Sequence, residues 1–148
     1  VIALTKSCFY PVMKRELETP LLTDLAPNLP RISVDPIQIE QVLVNLIRNA
    51  IEATQEARSS APVIVRTIRA ANAVQISVSD GGAGVASSAT NDLFEPFFTT
   101  KPEGIGLGLS ISRSIIENHG GRLWVEPNAG QGATFAFTLP LDAPTPWR

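Results

Sequence analysis

With 148 residues, a formal net charge of −2, 44% hydrophobic and 18% charged residues, the chain has the composition of one globular domain with a single core. No apolar run approaches the roughly 20 residues a membrane-spanning helix needs, and the scattered basic residues leave no electrostatic footprint for DNA or RNA. The lone cysteine, Cys8, excludes an internal disulfide and a cysteine-based zinc site and suits a reducing compartment such as the cytoplasm.

The chain opens at Val1 with neither an initiator methionine nor a signal pattern, so a piece of a longer protein is expected. Residues 1–19 read as a lead-in segment, 20–141 as the folded domain and 142–148 as a proline-containing tail. Residues 20–26 suggest an edge strand. Val34-Asp35-Pro36-Ile37-Gln38 is a helix start: Asp35 can cap, Pro36 suits the first helical position and Gln38 completes a capping-box-like pair. The helix is predicted over 36–57. At about 100° per residue, Gln38, Gln41, Asn45, Arg48, Asn49 and Glu52 share one polar arc, while apolar residues cover the other directions except at Glu40.

Residues 63–69 and the strictly alternating 74–79 predict an antiparallel hairpin. Asp80-Gly81-Gly82-Ala83-Gly84 follows at a strand end, and a long irregular stretch leads to a second helix over about 106–118, stopped by Gly120 and Gly121. Two more strands, 122–126 and 133–139, are separated by turn residues, with Phe135, Phe137 and Leu139 alternating toward one face. This order implies an α+β fold: a two-layer sandwich with a mixed, mostly antiparallel sheet and helices on one face.

Several groups have chemical potential. Asn45 and Asn49, four residues apart on a largely buried helix, need partners, either backbone and water or a magnesium ion, which favours oxygen ligands. Asp80 at its strand end is either part of a plain turn or an acceptor for an exocyclic amine such as that of adenine. Gly104, Gly106 and Gly108 expose successive amide hydrogens where a helix dipole favours negative charge, a place for phosphates. The segment is neither a dinucleotide fingerprint nor a Walker loop. Lys101 upstream is a point charge for the same phosphates or a solvated lysine. Phe94-Glu95-Pro96-Phe97-Phe98 reads as the anchor of a lid or as a satellite apolar cluster. His119, the only histidine, is assigned a structural role complementing the end of the second helix.

Taken together, Gln41 to Ala50, Asp80 to Gly84, Phe94 to Phe98 and Gly104 to Gly108 resemble the N box, first glycine box, F box and second glycine box of sensor histidine kinases, in the family's order. Phe94 to Lys101 followed closely by the glycines is similar to the short-lid group of oxygen-sensing and nitrogen-regulation kinases. The resemblance implies the Bergerat ATP-binding fold, with ATP and Mg²⁺ as cofactors. It implies Asn49 with Asn45 for Mg²⁺; Asp80 for the adenine amine; and Gly82, Gly84, Phe98, Thr100, Lys101, Gly104, Gly106, Leu107, Gly108, Leu109 and Thr134 around the nucleotide. Asn45, Asn49 and Lys101 would carry catalysis. Where many kinases have a lysine three residues after the magnesium asparagine, this chain has Glu52, which shifts phosphate charge onto Lys101 and Arg48.

The implied activity transfers the γ-phosphate to a histidine on a separate dimerisation domain, then to an aspartate of a response regulator. Glu117-Asn118-His119-Gly120-Gly121 has no phosphoacceptor pattern, so the fragment, expected to be cytoplasmic and monomeric whether or not its parent is membrane-anchored, should bind ATP with little or no labelling of itself. The alternatives are an ATP-hydrolysing module and a nucleotide sensor without catalysis. Hydrolysis in relatives needs a water-activating glutamate, and its position is Asn45 here.

Overall fold

The computed structural model describes residues 19–85, 92–95 and 108–141. These form β1 (Leu21–Leu25), α1 (Pro36–Glu56), β2 (Val63–Arg69), β3 (Ala73–Ser79), a single 3-10 turn (Asp92–Phe94), α2 (Gly108–Asn118), β4 (Leu123–Pro127) and β5 (Ala133–Pro140). The sheet runs β1-β2-β3-β5-β4. Only the β1–β2 pair is parallel, and the other three pairs are antiparallel. The expected edge strand is therefore present, tied to the sheet by the Val63 N–H donating to the Pro20 carbonyl at 2.9 Å.

α1 starts as its sequence dictates. The Asp35 side chain accepts the N–H groups of Ile37 at 3.0 Å and Gln38 at 3.3 Å, and Pro36 occupies the first turn, where no donor is missed. Its buried face, Ile39, Val42, Leu43, Leu46, Ile47, Ala50 and Ile51, packs on β2 and β3, while α2 covers β4 and β5. Val74, Ile76 and Val78 alternate inward on β3 opposite Leu139, Phe137 and Phe135 of β5. Burying each such side chain contributes about 1.5–3 kcal/mol. Both helices thus lie on one face of the sheet. The other face carries Gln75, Ser77, Ser79 and Thr134.

α2 ends in a turn in which Gly120 N–H bonds to the Glu117 carbonyl and Gly121 N–H to that of Ile116, both at 2.9 Å. Within it, His119 takes the structural role expected of it. The ring is 4% exposed, with Nδ1 2.8 Å from the Ile115 carbonyl and Nε2 3.1 Å from the backbone nitrogen of Asp35. A backbone N–H can only donate and a carbonyl can only accept, so Nε2 is the acceptor and Nδ1 carries the proton. The ring works as a bolt between the end of α2 and the cap of α1.

Candidate functional site

Asp80 is the first residue beyond β3 and is 7% exposed. Its Oδ1 accepts the N–H of Gly82 at 2.9 Å and of Ala133 at 3.2 Å. Burial pushes its carboxyl above the ordinary 3.8, and the two backbone donors pull downward without reversing that shift. Oδ2 has no hydrogen-bond partner among the described residues and is not sealed from solvent. One carboxylate oxygen is thus held by main chain while the other remains available as an acceptor.

Asn45, Asn49 and Ala53 recur every four residues on α1 and so share one face. At its C-terminal end this face meets the glycine turn, where a Cβ on Gly82 would come within 2.9 Å of the Ala53 Cβ. At the other end Asn45 lies against the first turn of α2. Its Nδ2 donates to Ser112 Oγ at 3.2 Å, and a Cβ on Gly108 would sit 2.6 Å from Asn45 Oδ1. A polar face about 12 Å long therefore runs from one glycine segment to the other.

Two residues that drew no attention in the sequence hold this arrangement together. Thr54, fully buried, donates to the Ala50 carbonyl at 2.8 Å and accepts the Gly81 N–H at 3.1 Å, fastening the glycine turn to the last turns of α1. Ser112 is 2% exposed and pairs with Asn45. The available signal was a hydroxyl at an otherwise apolar, inward-facing helical position, which needs a partner once buried.

The polar arc of α1 divides. Gln41, Asn45 and Arg48 line a groove of about 410 Å³, together with Glu40, Val44, Gly108, Ser112 and the exposed Ile37 and Ile111. Neither Asp80 nor Asn49 lines this groove. Asn49 and Glu52, further along the helix, each already engage a partner.

Gly84 sits at φ +84° beside the Gly132 carbonyl, and Leu109 packs at the edge of the core. Thr134 is in register with Ser79, on the sheet face away from the helices, so alternation turns its side chain away from the Asp80 carboxylate. Its hydroxyl meets Ser79 and Asn128 instead. The backbone neighbour Ala133 is the residue that touches the carboxylate. Phe94 is buried edge-on to Phe135, centroids 6.3 Å apart, with the Arg113 guanidinium 5.6 Å from its ring centre. Phe98, Thr100, Lys101, Gly104, Gly106 and Leu107 lie outside the described residues.

Among the described residues no group of three or more His, Cys, Asp or Glu side chains could cage a metal ion. The donors on offer are amides, which fit an ion that takes most of its oxygens from phosphates and water.

Residues 34–143 match the family described as histidine kinase-, DNA gyrase B- and HSP90-like ATPase, and the chain belongs to it. It is 49% identical over 126 residues to the sensor protein FixL of Bradyrhizobium diazoefficiens, covering 85% of this chain and 25% of that protein. To the C4-dicarboxylate transport sensor protein DctS of Rhodobacter capsulatus it is 45% identical over 142 residues, covering 95% of this chain and 22% of that one. The chain thus spans about a quarter of the length of these relatives. Among solved structures, the catalytic domain of histidine kinase ThkA superposes with a TM-score of 0.80 at 34% identity, covering 92% of this chain and 89% of that one. Fold and family place the chain among the ATP-binding catalytic domains of sensor histidine kinases, with the Bergerat architecture. Among the described residues no helix is long and apolar enough to cross a membrane.

Proposed function

We propose that this domain binds Mg·ATP along the α1 face and presents the γ-phosphate to a histidine on a separate dimerisation domain of its parent kinase, for relay to a response regulator aspartate. The observation that carries the reading is the single helical face, Asn45–Asn49–Ala53, that touches Gly108 at one end and Gly82 at the other. Base and phosphates of one nucleotide need to be gripped at just such a separation.

In this reading Asp80 Oδ2 accepts from the adenine 6-amino group, while Gly82 and Ala133 N–H keep Oδ1 occupied and the carboxylate oriented. The glycine-rich sequence 104–108 would offer amide hydrogens to the phosphates, and Lys101 would add a point charge. Asn49, with Asn45, would supply amide oxygens to a magnesium ion, whose charge would neutralise the phosphate oxygens during transfer. Asn45 cannot take a proton from water as a carboxylate can, which disfavours hydrolysis by this chain. A cytoplasmic setting and a monomeric isolated domain accompany the proposal.

Isothermal titration tests it. Magnesium-dependent binding of ATP and ADP is expected, and no heat from either nucleotide at millimolar concentration would defeat the reading.

A further inference from the structure

The connection between β4 and β5 is fastened to Asp80 from behind. Asn128, first in that connection, closes it by donating its N–H to the Gly132 carbonyl at 3.1 Å. Its Nδ2 donates to the Asp80 carbonyl at 2.9 Å, with the Gln131 and Ala133 carbonyls at 3.4 and 3.5 Å. Its Oδ1 accepts the Thr134 hydroxyl. Thr134 has one proton and gives it to an amide oxygen that cannot donate, so in the 2.8 Å contact between Ser79 and Thr134 the donor is Ser79. A directed chain results: Ser79 to Thr134 to Asn128 to the Asp80 carbonyl.

That carbonyl has little room to move. Gly132, at φ +98°, lies so close that a Cβ there would fall 2.0 Å from the Asp80 oxygen. The Asp80 N–H meanwhile donates to the Ala133 carbonyl at 3.0 Å. Both peptide groups of Asp80 are therefore pinned, one by the β5 ladder and one by the Asn128 side chain, and the pinned backbone sets the direction in which the carboxylate leaves the sheet.

We infer that Asn128 is a positioning residue for adenine recognition: it holds the Asp80 main chain so that Oδ2 meets the 6-amino group. The inference rests on the proposed role of Asp80. Asn128 touches no nucleotide in this scheme and acts only through Asp80.

The test compares two ligands that differ only in that amino group, ATP and purine riboside triphosphate, titrated into the 148-residue chain and its variants. The wild type should prefer ATP by about tenfold or more, as expected for a hydrogen bond to a charged acceptor. In Asn128→Ala the preference should shrink to about threefold or less. Asn128→Asp, of the same shape but unable to donate to a carbonyl, should shrink it likewise and serves where the alanine variant does not fold. Ser79→Ala, which leaves the Asn128–Asp80 bond intact, should retain it. A general loosening of the fold would weaken both ligands equally and leave their ratio unchanged. Folded Asn128 variants that keep the wild-type ratio would overturn the inference alone. A wild type that binds both ligands equally would overturn the Asp80 reading beneath it.

Discussion

At one end of the α1 face, Asp80 is surrounded by main chain: the N–H groups of Gly82 and Ala133 on its carboxylate, and strand β5 along its backbone. At the other end, Asn45 meets Ser112 and Gly108 beside a groove lined by Glu40, Gln41 and Arg48. Backbone donors cannot change rotamer, so the first arrangement suits the recognition of one fixed chemical group. Side chains beside open space can re-pack, and the second arrangement suits phosphates whose number and position change during a transfer. A single helix joins a rigid end to an adjustable one.

The sharpest way to break this comparison is Asp80→Asn. The amide oxygen still accepts Gly82 and Ala133, but the carboxylate oxygen proposed to meet the 6-amino group is lost. Affinity for ATP, ADP and adenosine alike should fall by about tenfold to hundredfold, and unchanged titrations would remove Asp80 from the site. Stability should move the other way. A carboxyl whose folded value is raised by burial contributes stability that is present below the ordinary carboxylate range and lost as pH rises through the folded value. At neutral pH the buried Asp80 carboxyl therefore contributes less stability than it does in acid. Denaturant midpoints should show Asp80→Asn equal to or above wild type there, with the difference closing as pH falls below the carboxylate range.

Gly108→Ala probes the opposite end. The added methyl would press on the Asn45 amide at 2.6 Å and push it from Ser112. Alanine favours a helix over glycine by up to about 1 kcal/mol, and crowding costs a similar amount, so net stability should change little. ATP affinity should fall by about three- to tenfold, while adenosine, which has no phosphates, should bind as before. Equal loss for both ligands would mean that the two ends are not separable.

Much of this plan was legible in the chain before any geometry. The cap at Asp35, the inward alternation of β3 and β5 and the four-residue recurrence of Asn45 and Asn49 are local patterns, and local patterns survive into the fold because nothing packs against them in contradiction. Partners across long separations were not legible. Asn128 and Asp80 stand 48 residues apart and His119 and Asp35 stand 84 apart, so no periodicity connects them. Thr134 shows the cost. The family resemblance implied a place for it beside the nucleotide, yet strand register with Ser79 turns its hydroxyl to the sheet face away from the helices. One residue of register decides the face of a side chain, and register comes from pairing partners that the local sequence does not name.

The smallest effect on the ligand should come from His119, which lies at the far end of α2 from Gly108 and so controls for both experiments. Its ring makes two different bonds, one within α2 and one across to α1, and two substitutions separate them. Asn places an amide near the Nδ1 position and can keep the bond to the Ile115 carbonyl. Gln reaches toward the Nε2 position and can keep the acceptor for the Asp35 N–H. Each should lower stability by about 1–2 kcal/mol, the cost of one buried group left without its partner, with ATP affinity changed by less than about twofold. If the cross-helix bond is the one that matters to the fold, His119→Gln will be the more stable of the two in denaturant titrations. If the helix-end bond dominates, the order reverses. Incubation of the wild type with labelled ATP should leave this ring unlabelled, because a phosphoacceptor needs a free nitrogen at the surface and both nitrogens here are engaged inside the protein. Acid-labile label on His119 would show that α2 opens far enough to release it, and the structural role assigned to the ring would fall.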